Sequence, residues 1–249
     1  MRKILIIGAT SSIAQACMYY WAQKGNISTF ICIARNKDKL KSITDDLSVR
    51  FTDINIQSYI IDFNNIKEIS VCLEQCFKNQ MIDEALIVQG MMYKSENTLD
   101  ADQINELLHV NTISLAVSLN VIYEKMRLQQ HGTIGVIGSV AGDRGRKANY
   151  LYGASKSFVA TYVEGLQHKA ALNRENINIS LIKPGPTASA MTQYLIASGK
   201  KLANIHEVAQ EIAMGMQKGK RVIYTPKIWR IIMLVIRHIP FFVFKKMDI

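Results

Sequence analysis

The chain has 249 residues, 49% of them hydrophobic and 20% charged, with a formal net charge of +10. That is ample for a core, within the size at which an α/β fold commonly forms one domain. Eight cations opposed only by Asp248 give the last 33 residues +7 of the total. Charge so terminal, with no groove-reading motif, argues for an acidic surface as partner and against nucleic acid.

Met1–Ile7 begins like a signal peptide, but its apolar run is short and flows into Gly-Ala-Thr-Ser-Ser, so it reads as a first strand. Further strands are expected at Thr29–Ala34, Tyr59–Ile61, Ala85–Val88, Thr133–Ile137, Ile177–Ile182 and Arg221–Tyr224. Helical patterns lie between them at Ile13–Lys24, Lys37–Val49, Ile66–Lys78, Asp102–Leu128, Tyr150–Leu172 and His206–Met216. Short apolar strands alternating with amphipathic helices predict an α/β fold, a single Rossmann-type doubly wound parallel sheet of seven strands with helices on both faces. Residues 1–225 are expected to form the dinucleotide-binding and catalytic unit, with 226–249 a basic amphipathic segment of the same domain. Cys17, Cys32, Cys72 and Cys76 have neither zinc spacing nor a disulfide framework. A reducing, cytoplasmic setting and no metal are expected.

Gly8-Ala-Thr-Ser-Ser-Ile-Ala14 joins the first strand to the first helix. Such a turn aims backbone N–H groups and a helix dipole at a pyrophosphate, so Gly8, Thr10, Ser11, Ser12 and Ile13 are candidate phosphate contacts. Ser12 and Ala14 stand where a G-x-x-x-G-x-G loop has glycine, and both are small enough for close approach; alone, the loop is also compatible with a well-packed strand–helix turn. Strand two ends Cys-Ile-Ala34-Arg35-Asn36 with no carboxylate before Asp38. An acidic residue there would bind the ribose 2′-OH of NAD, whereas Arg accommodates a 2′-phosphate. Arg35 therefore favours NADP, with NAD the alternative if Arg35, Lys37 and Lys39 merely decorate a helix start.

The stretch from Ser139 to Lys156 carries the chemistry. Tyr152 and Lys156 are four apart and share a helix face; Ser139 lies at the end of a strand pattern. An ammonium beside a phenol favours its ionised form, and a hydroxyl facing it can help hold a carbonyl oxygen. Tyr-x-x-x-Lys alone is a weak signal; with Ser139 and the first-helix loop it becomes strong.

On these motifs the chain resembles the short-chain dehydrogenase/reductase family from Lys3 to Tyr224. The parts run in family order: the glycine loop, Asp62, Gln89-Gly90, Asn111, Ser139, Tyr152-x-x-x-Lys156 and Pro184-Gly185-Pro186-Thr187. The resemblance implies catalysis by Asn111, Ser139, Tyr152 and Lys156, with Asn111 ordering a water for a proton relay and Asp62 contacting adenine. Gln89, Gly90, Pro184, Gly185 and Thr187 become cofactor contacts, as does Phe63 beside Asp62. Val88-Gln89-Gly90 replaces the family's Asn-Asn-Ala-Gly.

Gly142–Tyr152, Ile61-Asp-Phe63, Lys218-Gly-Lys220 and Met233–Pro240 further resemble a branch of decaprenylphosphoryl-2-keto-ribose reductase-like members. That branch reduces a keto sugar on a polyprenyl phosphate, completing an epimerisation begun by a flavin oxidase. The resemblance implies such a lipid-linked substrate, with another apolar carbonyl (sterol-, retinoid- or acyl-like) or a non-catalytic dinucleotide-binding scaffold as alternatives. Arg144, Arg146 and Lys147 lie between Ser139 and Tyr152 and are expected to grip a phosphodiester, unless they form a solvated loop. Met191 and Tyr194 are apolar candidates for a loop over the substrate. The tail mixes Trp229 and Phe241–Phe244 with Arg230, Arg237, Lys245 and Lys246, too interrupted to span a bilayer. It suits a segment at the inner face of the plasma membrane, a lid or a subunit contact in a homo-oligomer.

Overall fold

The computed structural model describes residues 1–96, 98–193 and 202–247. Seven parallel strands form one sheet: β1 (Arg2–Ile7), β2 (Ile27–Ala34), β3 (Asn55–Ile60), β4 (Glu84–Ile87), β5 (Gly132–Ile137), β6 (Ile177–Pro184) and β7 (Val222–Thr225). Their order is β3-β2-β1-β4-β5-β6-β7, so the winding reverses between β1 and β4. Ligands of open α/β sheets bind outside the strand C-termini at such a switch point.

Strand side chains alternate between two cores, as a period of two requires. Leu5, Ile7, Ile31 and Ile33 pack toward α3 (Ile66–Phe77), α5 (Leu115–Leu128) and α6 (Tyr150–Leu172). Ile4, Ile6, Phe30 and Cys32 pack toward α1 (Ser12–Lys24), α2 (Lys37–Arg50) and α7 (Ile205–Gln217). This two-sided burial explains why the inner strands read as continuous apolar runs. β3, at one edge of the sheet as β7 is at the other, is only half-buried; it begins at Asn55, four residues before the expected Tyr59, because polar Asn55, Gln57 and Ser58 dilute its pattern.

The expected helix Asp102–Leu128 is divided. A capping box between Asp100 and Gln103 starts α4 (Ala101–Leu108), and a π-helical turn, His109–Ser114, precedes α5. Single π turns within α-helices recur at functional sites. Beyond β7 the chain forms α8 (Trp229–His238) and, past Pro240, the short α9 (Phe241–Phe244). All four cysteines are buried and free.

Candidate functional site

A cleft of about 400 Å³ lies at the strand C-termini; of the expected site residues among those described, all but Asp62, Asn111, Arg144 and Lys147 line it. Its phosphate end is built by Gly8, whose φ of +81° admits glycine readily; a Cβ there would stand 2.7 Å from the Gln89 backbone nitrogen. The N–H groups of Gly8 and Ala9 both donate to the Ile33 carbonyl, at 2.9 and 3.0 Å, tying the turn to β2. Ser11, the N-cap of α1, makes no side-chain cap, and the first turn of α1 carries no acidic residue. The positive end of the helix therefore faces the cleft beside Thr10, Ser11, Ser12 and Ile13. Arg35 and Lys39 line the same cleft, Arg35 in a 4.0 Å pair with Glu106. These residues fit a dinucleotide carrying an extra phosphate.

Phe63 also lines the cleft. Asp62 does not: exposed, it accepts hydrogen bonds from the Asn64 backbone and side chain, at 2.9 and 3.2 Å, and so closes a turn. Gln89 lines the cleft, but its amide is engaged inward, donating to Ser114 Oγ at 2.8 Å and Val110 O at 3.4 Å while accepting from Ser118. This buried glutamine joins the β4 loop to the π turn.

At the other end the π turn delivers Asn111, fully buried. Asn111 Oδ1 accepts from the Met91 N–H at 2.8 Å; Nδ2 donates to Met91 O at 2.9 Å and Ser155 Oγ at 3.0 Å. Ser155 in turn donates to the Tyr152 carbonyl at 2.7 Å. With both amide hydrogens engaged, only the second lone pair of Oδ1 remains for a water. Asn111 thus pins the β4 loop to α6, the helix that carries Tyr152 and Lys156.

Lys156 is buried, and its ammonium donates to the Ile137 carbonyl at 3.0 Å. Desolvation lowers its pKa to about 8. The ammonium is 5.8 Å from the centroid of the Tyr152 ring, and a Cβ on Gly90 would lie 3.2 Å from Nζ and 3.4 Å from Asn111 Oδ1. Lys156 and Asn111 therefore converge on Gly90. Ser139 caps the 3-10 turn Val140–Asp143, accepting from the Ala141 N–H at 3.0 Å, which leaves its own O–H to donate. Gly142 lets that turn lie on α6: a Cβ there would meet the Lys156 carbonyl carbon at 2.6 Å. Ser139, Tyr152 and Lys156 all line the cleft. Two hydroxyls and a cation around one opening can hold a carbonyl oxygen and protonate it.

Sequence reasoning missed Glu96. Asn149 provides no side-chain cap for α6. Instead the buried Glu96 carboxylate accepts from Leu151 N–H at 2.6 Å and Tyr152 N–H at 2.9 Å, while Tyr150 Oη donates to its carbonyl at 3.0 Å. A carboxylate at a helix N-terminus satisfies orphan donors and complements the dipole. Lys94-Ser-Glu96-Asn gives no local signal, since the cap reaches across 55 and 56 residues.

The three rim cations diverge. Arg146 lines the cleft beside Asn149, and its Nε is buried without a hydrogen-bond partner among the described residues. Burial pulls its guanidinium pKa down, against the Asp143 charge. Arg144 does not line the cleft, because its guanidinium is engaged with carbonyls of the C-terminal segment. Lys147, in a 3-10 turn, is exposed and also outside the lining. Pro184, Gly185, Thr187 and Met191 line the cleft, Met191 40% exposed. Tyr194 lies outside the described residues.

The short chain dehydrogenase family profile matches residues 2–199. An uncharacterized oxidoreductase of Streptomyces coelicolor is 22% identical over 99% of this chain and 96% of its own length. One from Staphylococcus aureus is 23% identical over 88% of this chain and 93% of its own. Among solved structures, a Sphingobium yanoikuyae short-chain dehydrogenase in complex with NADPH superposes with a TM-score of 0.81 at 20% identity, covering 91% of this chain and 89% of that one. The bulky-bulky ketone specific alcohol dehydrogenase of Comamonas testosteroni gives 0.79 at 21%, covering 91% and 86%. At these identities the structures establish the fold.

Two predictions follow from the geometry. Glu96→Ala leaves the Leu151 and Tyr152 N–H groups unpaired; melting temperature should fall and kcat should drop about ten-fold from misplaced Tyr152, with the dissociation constant for NADPH unchanged and Glu96→Gln intermediate. Unaltered kcat per folded molecule would assign Glu96 to stability alone. Lys156 is charged below about pH 8 and neutral above it. The kcat/KM for carbonyl reduction should therefore decline as pH rises through that value. A flat profile well above it would contradict this assignment.

Proposed function

The chain belongs to the short-chain dehydrogenase family, and within it we propose an NADPH-dependent reductase of a ketone carried on a polyprenyl-phosphate-linked sugar. One observation carries the substrate reading: Arg146 lines the cleft with its buried Nε left without a hydrogen-bond partner among the described residues. It is not needed for the cofactor's 2′-phosphate, which falls to Arg35 and Lys39 beyond the end of β2. β2 and β5 are three strand spacings apart in the sheet order, roughly 14 Å. A second anion is therefore expected near Ser139 and Tyr152, as a sugar on a phosphate provides.

NADP is favoured over NAD because Arg35 follows β2 where a carboxylate would otherwise bind the ribose. The NADPH held by the Sphingobium relative supports this choice. Bound NADPH supplies the hydride. Gly8 to Ile13 would hold its pyrophosphate, and Lys156 its nicotinamide ribose. Ser139 and Tyr152 hold the carbonyl oxygen, and Tyr152 gives that oxygen a proton as it acquires charge. The Lys156 cation stabilises the phenolate left behind. A flavin oxidase acting on the corresponding alcohol would supply the ketone, and the reaction would take place at the cytoplasmic face of a membrane.

A second reading keeps the chemistry but replaces the substrate by a neutral apolar ketone, since Val140, Met92 and Met191 also line the cleft. A non-catalytic scaffold fits less well with a buried lysine and two hydroxyls at one opening. Purified protein with NADPH, a polyprenyl-phosphate keto sugar and neutral sterol-, retinoid- or acyl-type ketones distinguishes these. The lipid-linked sugar should be preferred, and Arg146→Met should raise its KM about 10- to 100-fold, the value of a charged hydrogen bond, while sparing neutral ketones. Preference for a neutral ketone, or an Arg146→Met enzyme with unchanged KM, would favour the second reading. NADPH binding without turnover of any carbonyl would leave the scaffold.

A further inference from the structure

The C-terminal segment is attached to the catalytic unit at several points. Trp229 lies on Gly185, where a Cβ would come 2.0 Å from the indole nitrogen, and Met233 is fully buried. Arg144 donates to the carbonyls of Ile236 and, at 2.6 Å, Ile239, satisfying groups at the end of α8. Its guanidinium carbon also stands 3.8 Å from the centre of the Phe244 ring. Arg144 is itself held in place by its neighbour. The Asp143 carboxylate is buried between Lys183, with which it pairs, and Tyr224 Oη, which donates at 2.8 Å. Two residues farther on, Arg146 enters the cleft.

The other face of the segment is apolar and open. Ile228, Ile231, Leu234 and Val235 share the outward side of α8 and its N-cap, with Ile231 62% exposed; Phe241 and Phe242 beyond Pro240 are 74% and 67% exposed. Arg230 and Arg237 border that stripe, and Lys227, Lys245 and Lys246 flank it. Residues 226–247 contain no acidic residue. A symmetric contact between two copies would therefore set five cations against five, whereas an anionic lipid surface complements the charge and accepts the aromatic side chains. Among the described residues no helix is long and apolar enough to cross a membrane, so the contact lies in the interface plane.

We propose that residues 226–247 dock on an anionic bilayer and that Arg144 couples this docking to the 142–149 loop that carries Arg146 into the cleft. This deepens the lipid-linked reading and rests on it for its purpose, but its geometry stands apart from substrate identity. Docking orders α8 and α9 against the headgroups; the two carbonyl bonds and the Phe244 stack transmit that order to Arg144. The loop holding the anion-binding guanidinium is thereby firmer on the membrane than in solution, and the site is best formed where a lipid-linked substrate resides.

The test uses the full chain with vesicles of phosphatidylcholine alone or mixed with phosphatidylglycerol. Wild type should bind the mixed vesicles at least ten-fold more tightly, and Phe241→Ser/Phe242→Ser, which alters only exposed side chains, should lose most of that binding. In hydrogen exchange, mixed vesicles should slow exchange in both 226–247 and 142–149 of wild type, but only in 226–247 of Arg144→Ala. Equal binding to both vesicle types, or full binding by the double variant, overturns the docking surface. The same holds for a wild-type dimer dissociated by the Phe substitutions. Slowed exchange confined to 226–247 in wild type overturns the coupling. Turnover of the polyprenyl-phosphate substrate in detergent micelles is measured separately, so that failure of the substrate reading is not mistaken for failure of docking.

Discussion

A cation is buried at the heart of this molecule, and its surroundings fix most of what lies near it. Lys156 has a backbone carbonyl at the end of β5 as its hydrogen-bond acceptor, and desolvation lowers its pKa to about 8. Keeping such a group in place requires β5, the 3-10 turn after it and α6 to meet closely. Gly142 permits that approach, and the Asn111–Ser155 contact fixes α6 against the π turn. Tyr152, one helical turn back, then lines the same cleft as Ser139. The placement of Tyr152 and Lys156 is thus a consequence of packing among three elements.

The same logic orders the cleft from end to end. One end is lined by the first turn of α1, Arg35 and Lys39; the end proposed as reactive is lined by Lys156, Ser139, Tyr152 and Arg146. Gly8, at the phosphate end, lies against the backbone of Gln89, so β1 and β4 close the switch point without an intervening side chain. Charge is thereby placed at two separate stations along one opening. The C-terminal segment adds a third layer outside, with Trp229 against the lining residue Gly185 and Arg144, itself outside the lining, bonded to the end of α8.

Much of this was legible because local chemistry forces it. Gly8 before Thr10–Ser12 identifies a strand–helix turn, and Tyr152 with Lys156 at helical spacing identifies a shared face. Both signals depend only on residues close in sequence. Inner strands were equally clear, since Ile4–Ile7 and Phe30–Ala34 are buried on both faces. What escaped was long-range or diluted. The start of β3 is polar because an edge strand faces water. The Glu96 cap joins residues more than fifty apart, and the π turn alters hydrogen bonding without altering the apolar period. Arg144 looked equivalent to Arg146 in sequence; across the extended Gly145 linkage one goes to the tail and one to the cleft. Asp62 illustrates the converse, a carboxylate at a strand end that closes its own turn.

The account stands on Tyr152 as the proton donor beside that buried cation. Single-turnover reduction of a ketone by Tyr152→Phe, alongside direct titration of NADPH, isolates the phenolic oxygen from everything else in the site. The account predicts NADPH binding within a few-fold of wild type and a reduction rate lower by about 10²- to 10⁴-fold, the usual contribution of a positioned acid. A variant that reduces the ketone at the wild-type rate would contradict it.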